Sequence, residues 1–167
     1  NLIKNQKFAN KIGINKDRCY KNYKELCLKE IKRKDSIDVV SVMTPPGNHQ
    51  EISEFFIKNK IHVISDKPFA GNLIQAKKLY KTIKKNKKIT YGLTHNYSAY
   101  PMVRQAKKII KDRKIGNLEY INVEYVQDWT NGKIITRSNA KKIFRWKLES
   151  KFAGISTVLN EIGSHAY

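Results

Sequence analysis

From Tyr23 onward the spacing of apolar positions changes period in a regular way. Tyr23, Leu26, Cys27 and Ile31 recur at helical spacing, and Ile37 to Met43 (IDVVSVM) is then a short run rich in β-branched residues, which predicts a buried strand. Thr44-Pro45-Pro46-Gly47-Asn48 breaks the run, and His49 to Lys58 resumes a helical pattern with Ile52, Phe55 and Phe56 on one side. Ile61 to Ser65 predicts a second strand, Leu73 to Asn86 a helix with Leu73, Ala76, Leu79, Tyr80 and Ile83 at three- and four-residue steps, and Ile89 to Thr94 a third strand. Strands separated by amphipathic helices imply right-handed crossovers and a parallel sheet. The expected fold is therefore α/β, a doubly wound parallel sheet, with ligands gathering at the carboxyl ends of the strands.

After Asn96 the pattern is different. A helix is predicted from Tyr100 to Arg113 and closes at Gly116, and Leu118 to Asp128 (LEYINVEYVQD) alternates apolar with polar residues, as a half-buried antiparallel strand does. Trp129 to Lys142 has weak periodicity and reads as a long loop. These changes divide the chain into residues 1–95, the partial doubly wound sheet, and 96–167, the start of a second domain. The chain opens on Asn1 and closes on Tyr167 just after a helix is predicted to begin; the expectation is an internal segment of a longer protein.

Charge alters this picture less than its size suggests. Lys and Arg together number 34 against 14 acidic residues, a formal net charge of +20, which alone would point to a polyanion. The excess is carried by 28 lysines against six arginines, scattered along the predicted helices (Lys77, Lys78, Lys81, Lys84, Lys85, Lys87, Lys88) and not gathered with aromatics into a stacking platform for bases, as a solvated surface would have them. No nucleic-acid partner is expected. Cys19 and Cys27 have no companion at metal-ligand spacing, and no apolar run reaches the ~20 residues of a membrane span; neither a metal nor a membrane is expected, and the location is expected to be cytoplasmic.

Two local signals carry chemistry. Ser65-Asp66-Lys67-Pro68-Phe69 ends the second strand, placing an ammonium where an anionic or hydroxyl partner would hold it; taken alone, Lys67 is equally a surface lysine or the partner of Asp66. Glu161 and His165 are four residues apart, on one face if helical, where a carboxylate can orient an imidazole that accepts a proton near neutral pH. Taken alone, such a pair is also a common surface pair.

Six blocks in order, Ile37 to His49, His62 to Pro68, Thr94 to Pro101, Glu124 to Trp129, Phe144 to Lys147 and Glu161 to Ala166, resemble successive motifs of the Gfo/Idh/MocA oxidoreductases over nearly the whole chain. The resemblance implies a partial Rossmann-type NAD(P)-binding domain over residues 1–95, the start of an α/β (α+β) domain with an open, mainly antiparallel sheet over 96–167, and hydride transfer between NAD or NADP and a carbohydrate or cyclic polyol, in a protein that forms homo-oligomers when complete. Asp66-Lys67-Pro68 is similar to the family's E-K-P, so Lys67 would contact substrate beside the nicotinamide. Thr44 to His49 is similar to T-P-x-x-x-H, so Thr44, Pro45, Pro46, Asn48 and His49 would line the cofactor. Asn96 would lie near the nicotinamide, with Ser98 where the family has arginine. Glu161 and His165 fall on the family's D-x-x-x-H, with His165 as proton acceptor, and Trp146-Lys147 falls on its W-R. The resemblance also implies a non-catalytic alternative, a sugar or cofactor sensor, because fold does not assign function. No G-x-G-x-x-G occurs in the sequence, so the pyrophosphate cradle is absent from these residues, and the chain alone is expected to bind NAD(P) weakly or not at all.

Overall fold

The computed structural model describes residues 2–127, 147, 149–154 and 158–166. Three parallel strands form its sheet, β1 (Val39–Val42), β2 (His62–Asp66) and β3 (Tyr91–Thr94), in the order β1-β2-β3. Val39 pairs with His62 and Val63 with Tyr91, so the three strands end at one level, on Val42, Asp66 and Thr94. The chain returns between strands through α3 (His49–Lys58) and α4 (Leu73–Lys85); α1 (Leu2–Lys11) and α2 (Tyr23–Glu30) precede the sheet and α5 (Pro101–Lys111) follows it. Each strand lies within the run predicted for it or one residue beyond, because β-branched residues in a half-buried ladder are the local signal. Nothing in the residue pattern announces α1.

The core is shared by the strands and two helices. Val42 and Val63 from the sheet meet Cys27, Ile52, Phe56, Ile57, Ile61 and Leu79, all buried. On α4 the stripe is narrower than predicted: Leu79 is buried, Ile83 packs against the core, and Leu73 and Tyr80 are exposed. At about 100° per residue, Ala76 and Ile83 lie within roughly 60° of Leu79, whereas Leu73 and Tyr80 are turned roughly 100–120° away. Cys19 and Cys27 are free thiols, and burial raises the Cys27 thiol above its ordinary range.

Beyond Thr94 no strand occurs among the described residues. The stretch 118–127, predicted to be antiparallel, carries no ladder, and its apolar positions Tyr120, Ile121, Val123 and Val126 are exposed. An alternating segment becomes a strand only beside a partner that takes up its backbone hydrogen bonds, and the sheet that is present consists of three parallel strands. Asp128, the stretch from Trp129 to Lys142 expected to be a loop, Phe144 and Trp146 lie outside the described residues.

Candidate active-site cleft

Strand order sets the site. Because β1, β2 and β3 end together, the residues that leave them (Met43, Asp66, Lys67, Thr94, Asn96) meet at one edge, and there they line a cleft of about 550 Å³. The Lys67–Pro68 peptide bond is cis. Asp66 shapes this turn: its Oδ1 accepts hydrogen bonds from the Lys67 backbone N–H at 2.8 Å and from the Thr94 hydroxyl at 2.9 Å. The carboxylate predicted beside the cofactor is thus engaged within the turn itself, fixing β2 to β3 where Lys67 departs.

His49 secures the neighbouring loop. It is fully buried at the start of α3, with Nε2 at 2.6 Å from the Thr44 carbonyl oxygen and Nδ1 at 2.8 Å from that of Pro68. One ring therefore ties the loop after β1 to the loop after β2. Pro46 is buried beneath the same turn, Pro45 and Asn48 flank it, and the Thr44 hydroxyl is buried without a hydrogen-bond partner. Gln75 continues the bracing from α4, donating to the Gly47 carbonyl at 3.2 Å.

The opposite wall comes from the end of the chain. A short helix, α6 (Ser150–Ala153), packs on the Pro46–Asn48 turn so closely that a Cβ on Gly47 would collide with the Lys151 carbonyl. Gly154, at φ +89°, approaches the Gly71 carbonyl in the same way; a left-handed backbone without side chain is what glycine supplies. The chain then forms a π-helical turn, Leu159–Gly163, running into α7 (Ser164–Ala166). Such turns concentrate at functional sites. This one brings Glu161 and His165 to the cleft beside Lys67.

Charge and hydrogen bonding are unevenly distributed there. Glu161 Oε2 lies 2.8 Å from Lys147 Nζ and 3.6 Å from Lys67 Nζ, and Lys67 also reaches the Glu161 carbonyl at 3.4 Å. All three side chains are mostly buried, 14–20 % exposed. Glu161 is therefore engaged by two ammonium groups and not by the imidazole four residues on. His165 Nδ1 is buried and unpartnered. Burial, then the charges of Lys67 and His95, push the His165 pKa below its ordinary value, while Glu161 and Asp66 oppose them more weakly. The ring is surrounded by aromatic groups: Tyr97 at 4.4 Å edge-on, His95 at 5.6 Å and Tyr125 at 6.1 Å between centroids.

The cleft thus gathers Lys67, Asp66, Asn96, Lys147, Glu161 and His165. Thr44, Pro45, Pro46, Asn48 and His49 form the adjacent loop. Tyr97, Tyr125, Gln127 and Thr94 line the cleft without having been singled out from sequence; Tyr97 and Tyr125 fall inside blocks that were, so only their orientation was hidden. Ser98 turns back onto the His95 carbonyl at 2.7 Å. No set of three or more His, Cys, Asp or Glu placed to hold a metal occurs among the described residues.

Residues 1–95 match the family model described as an oxidoreductase family with an NAD-binding Rossmann fold. The chain belongs to the Gfo/Idh/MocA oxidoreductases. Within the family, it is 31 % identical over 162 residues to an uncharacterized oxidoreductase, YfiI, of Bacillus subtilis (strain 168), covering 96 % of this chain and 40 % of that protein. A levoglucosan dehydrogenase of Pseudarthrobacter phenanthrenivorans is 30 % identical over 129 residues, 77 % of this chain and 31 % of that one. The crystal structure of an inositol dehydrogenase homolog from Azotobacter vinelandii, complexed with NAD+, superposes with a TM-score of 0.88 at 28 % identity, over 97 % of this chain and 41 % of its own; its complex with NADH and myo-inositol gives 0.84 at 26 %, over 96 % and 39 %. The chain spans well under half the length of the relatives it matches. NAD is the family's cofactor. No helix among the described residues is long and apolar enough to cross a membrane.

Proposed function

We propose that this cleft serves the NAD(P)-dependent oxidation of a hydroxyl group on a sugar or cyclic polyol, in a protein of the relatives' full length carrying these residues. One juxtaposition supports it: Lys67, leaving a strand of the parallel sheet, and His165, from the far end of the chain, line the same cleft. Lys67 donates a hydrogen bond to the reacting oxygen and stabilises negative charge developing there. His165, neutral near pH 7 because burial and neighbouring cations lower its pKa, accepts the hydroxyl proton. A nicotinamide held beside Thr44, Pro45, Pro46 and Asn48 would supply the acceptor for the hydride of the carbinol carbon. Relatives named for levoglucosan and inositol support a polyhydroxylated ring as substrate.

The residues present fit the nicotinamide end of the cofactor. Thr44, with its buried, unpartnered hydroxyl, Pro45, Pro46 and Asn48 would line it, His49 and Asp66 would brace its walls, and Asn96 and Lys147 would face it across the cleft; Trp146 is assigned beside them by resemblance alone. No glycine fingerprint is among these residues, so the pyrophosphate is not assigned to any of them. A boundary near Asn96, where the parallel sheet has ended, separates cofactor from substrate residues in this reading. The exposed alternating stretch 118–127 supports a further, antiparallel sheet and a homo-oligomer built on it.

Absorbance of the reduced nicotinamide, followed with NAD or NADP against a panel of polyols, tests the proposal. Lys67→Ala is expected to lower kcat by about 10²-fold or more, and full turnover by that variant would sink it. A second reading, a non-catalytic sensor, is favoured by Glu161 engaging two lysines and leaving His165 without a carboxylate. It predicts saturable binding of cofactor and polyol with no rise in absorbance.

A further inference from the structure

Histidines that exchange protons are commonly held through a hydrogen bond from one ring nitrogen to a carboxylate or carbonyl. His165 lacks that device: Nδ1 is buried without a partner, and the nearby carboxylate of Glu161 lies against Lys147 and Lys67. Something else must fix the plane of the ring. The geometry points to Tyr97 as a positioning residue for His165, taking the place of the missing carboxylate through ring-to-ring packing, with Tyr125 and Gln127 holding Tyr97 in turn.

Three observations carry this. Tyr97 and His165 meet at 4.4 Å between centroids with planes 69° apart, an edge-to-face arrangement that favours one relative orientation. The Tyr97 hydroxyl lies 2.9 Å from the Tyr125 hydroxyl, which accepts from Gln127 Nε2 at 2.9 Å, so the phenol is anchored at its far end. Tyr100 packs edge-on against the same ring at 5.3 Å. Tyr97 also covers the imidazole, contributing to the burial that heads the causes of its lowered pKa. The groups facing the ring are Asp66 and Lys67 from the end of β2, His95 and Tyr97 from the turn after β3, Tyr125, and Glu161 from the π-helical turn. Tyr97 makes the nearest of these ring contacts and is anchored at its far end; His95, whose Nε2 lies against the Ser164 carbonyl, and Tyr125 stand farther from the imidazole.

The role assigned to Tyr97 rests on His165 as proton acceptor, but its test needs no turnover. In the ¹⁵N-labelled 167-residue chain, long-range ¹H–¹⁵N spectra of the four histidines, assigned with His165→Gln, report the tautomer and titration midpoint of His165. The unmodified chain is expected to show nuclear Overhauser contacts between the Tyr97 and His165 rings and one dominant tautomer. Tyr97→Leu is expected to raise the midpoint toward the ordinary ~6.5 and to mix the tautomers. Tyr97→Phe keeps the ring and is expected to leave the midpoint in place. A midpoint and tautomer untouched by Tyr97→Leu would overturn the assignment, as would a shift in Tyr97→Phe as large as that in Tyr97→Leu. If Tyr97→Leu does not fold, absence of the ring contacts in the unmodified chain overturns it, and their presence together with an unmoved Tyr97→Phe midpoint supports it. An inactive full-length enzyme with these signals intact would count against the dehydrogenase reading and not against Tyr97.

Discussion

At the scale of single residues, one carboxylate has a choice of neighbours. Glu161 and His165 are four apart, and the spacing suggested a carboxylate–imidazole pair; what the sequence could not reveal is that Lys67 and Lys147 arrive from other parts of the chain and take the carboxylate instead. Two ammonium groups outcompete a neutral imidazole, since each adds the attraction of a full positive charge to its hydrogen bond and a neutral ring does not. Glu161 still acts on His165 through its field, raising a pKa that burial, Lys67 and His95 lower. Glu161→Gln is therefore expected to move the His165 midpoint further down, read from the same imidazole spectra; an upward move would contradict the assignment of charges. The signs also fix how stability varies with acid. His165 is depressed in the folded state, so the unfolded chain binds its proton more readily, and stability falls as pH drops below about 6.5. Glu30 adds a second step. It is buried, and hydrogen bonds from Arg18 and then Tyr20 hold its pKa below the ordinary value of 4.5. Its contribution is present above that value and is lost as pH falls through the folded-state pKa. Urea denaturation at stepped pH should show Glu30→Gln less stable than the unmodified chain at pH ~7 and flatter below pH ~4.5; an unchanged acid limb would remove Glu30 from the account.

Elements are where sequence and structure agree most, and α4 illustrates why. Asn72 precedes its apolar stripe, and its side chain accepts the Gln75 backbone N–H at 2.9 Å, while Gln75 Oε1 accepts the Gly71 N–H at 3.0 Å. The helix start is thus written locally, in a cap and its reciprocal partner. Asn72→Ala is expected to cost about 1 kcal/mol in chemical denaturation. Leu79→Ala, which empties a fully buried position, is expected to cost about 2–5 kcal/mol; a loss no larger than that of the cap variant would mean that α4 does not pack on the core as described. The three strands were legible for the same reason, because β-branched runs between breakers need no distant information. Where the pattern failed, the missing information was tertiary. The stretch 118–127 alternates as a strand should, yet no described segment pairs with it, and Leu73 and Tyr80 count toward a helical stripe only until the direction of the core is known. His49 belongs to the same class: its position in the Thr44–His49 motif is visible, but its grip on the Pro68 carbonyl depends on how the two loops meet.

Over the whole molecule the dominant quantity is the net charge of +20, and two explanations of it make opposite demands. If the lysines are a solvated surface, their mutual repulsion opposes compaction, and it is screened as the Debye length shrinks from about 30 Å at 0.01 M salt to about 3 Å at 1 M. The exposed ion pairs, Lys29 with Glu25 and Arg33 with Asp17 and Asp35, are weakened by the same screening but contribute little individually. Repulsion among an excess of twenty positive charges outweighs them, so the urea midpoint is expected to rise as sodium chloride increases over that range. A midpoint that fell would mean that the surface pairs carry more of the stability than repulsion removes. If instead the charge were a surface built for polyanions, retention on duplex DNA would persist at moderate salt and decline with a steep, linear dependence of log affinity on log salt. The arrangement favours the first explanation: Lys77, Lys78, Lys81 and Lys84 are spread along α4, the cleft takes its two lysines into contact with Glu161, and among the described residues lysines meet aromatic rings in separate pairs, such as Lys24 over Tyr23 and Lys84 over Tyr80, while the clustered rings surround His165. Among the described residues, the positive charge that defines the exterior enters the cleft at Lys67 and Lys147, where Glu161 compensates it locally; salt that reshapes the denaturation curve should leave the His165 titration almost where it was, because a mostly buried pair is screened far less than an exposed one.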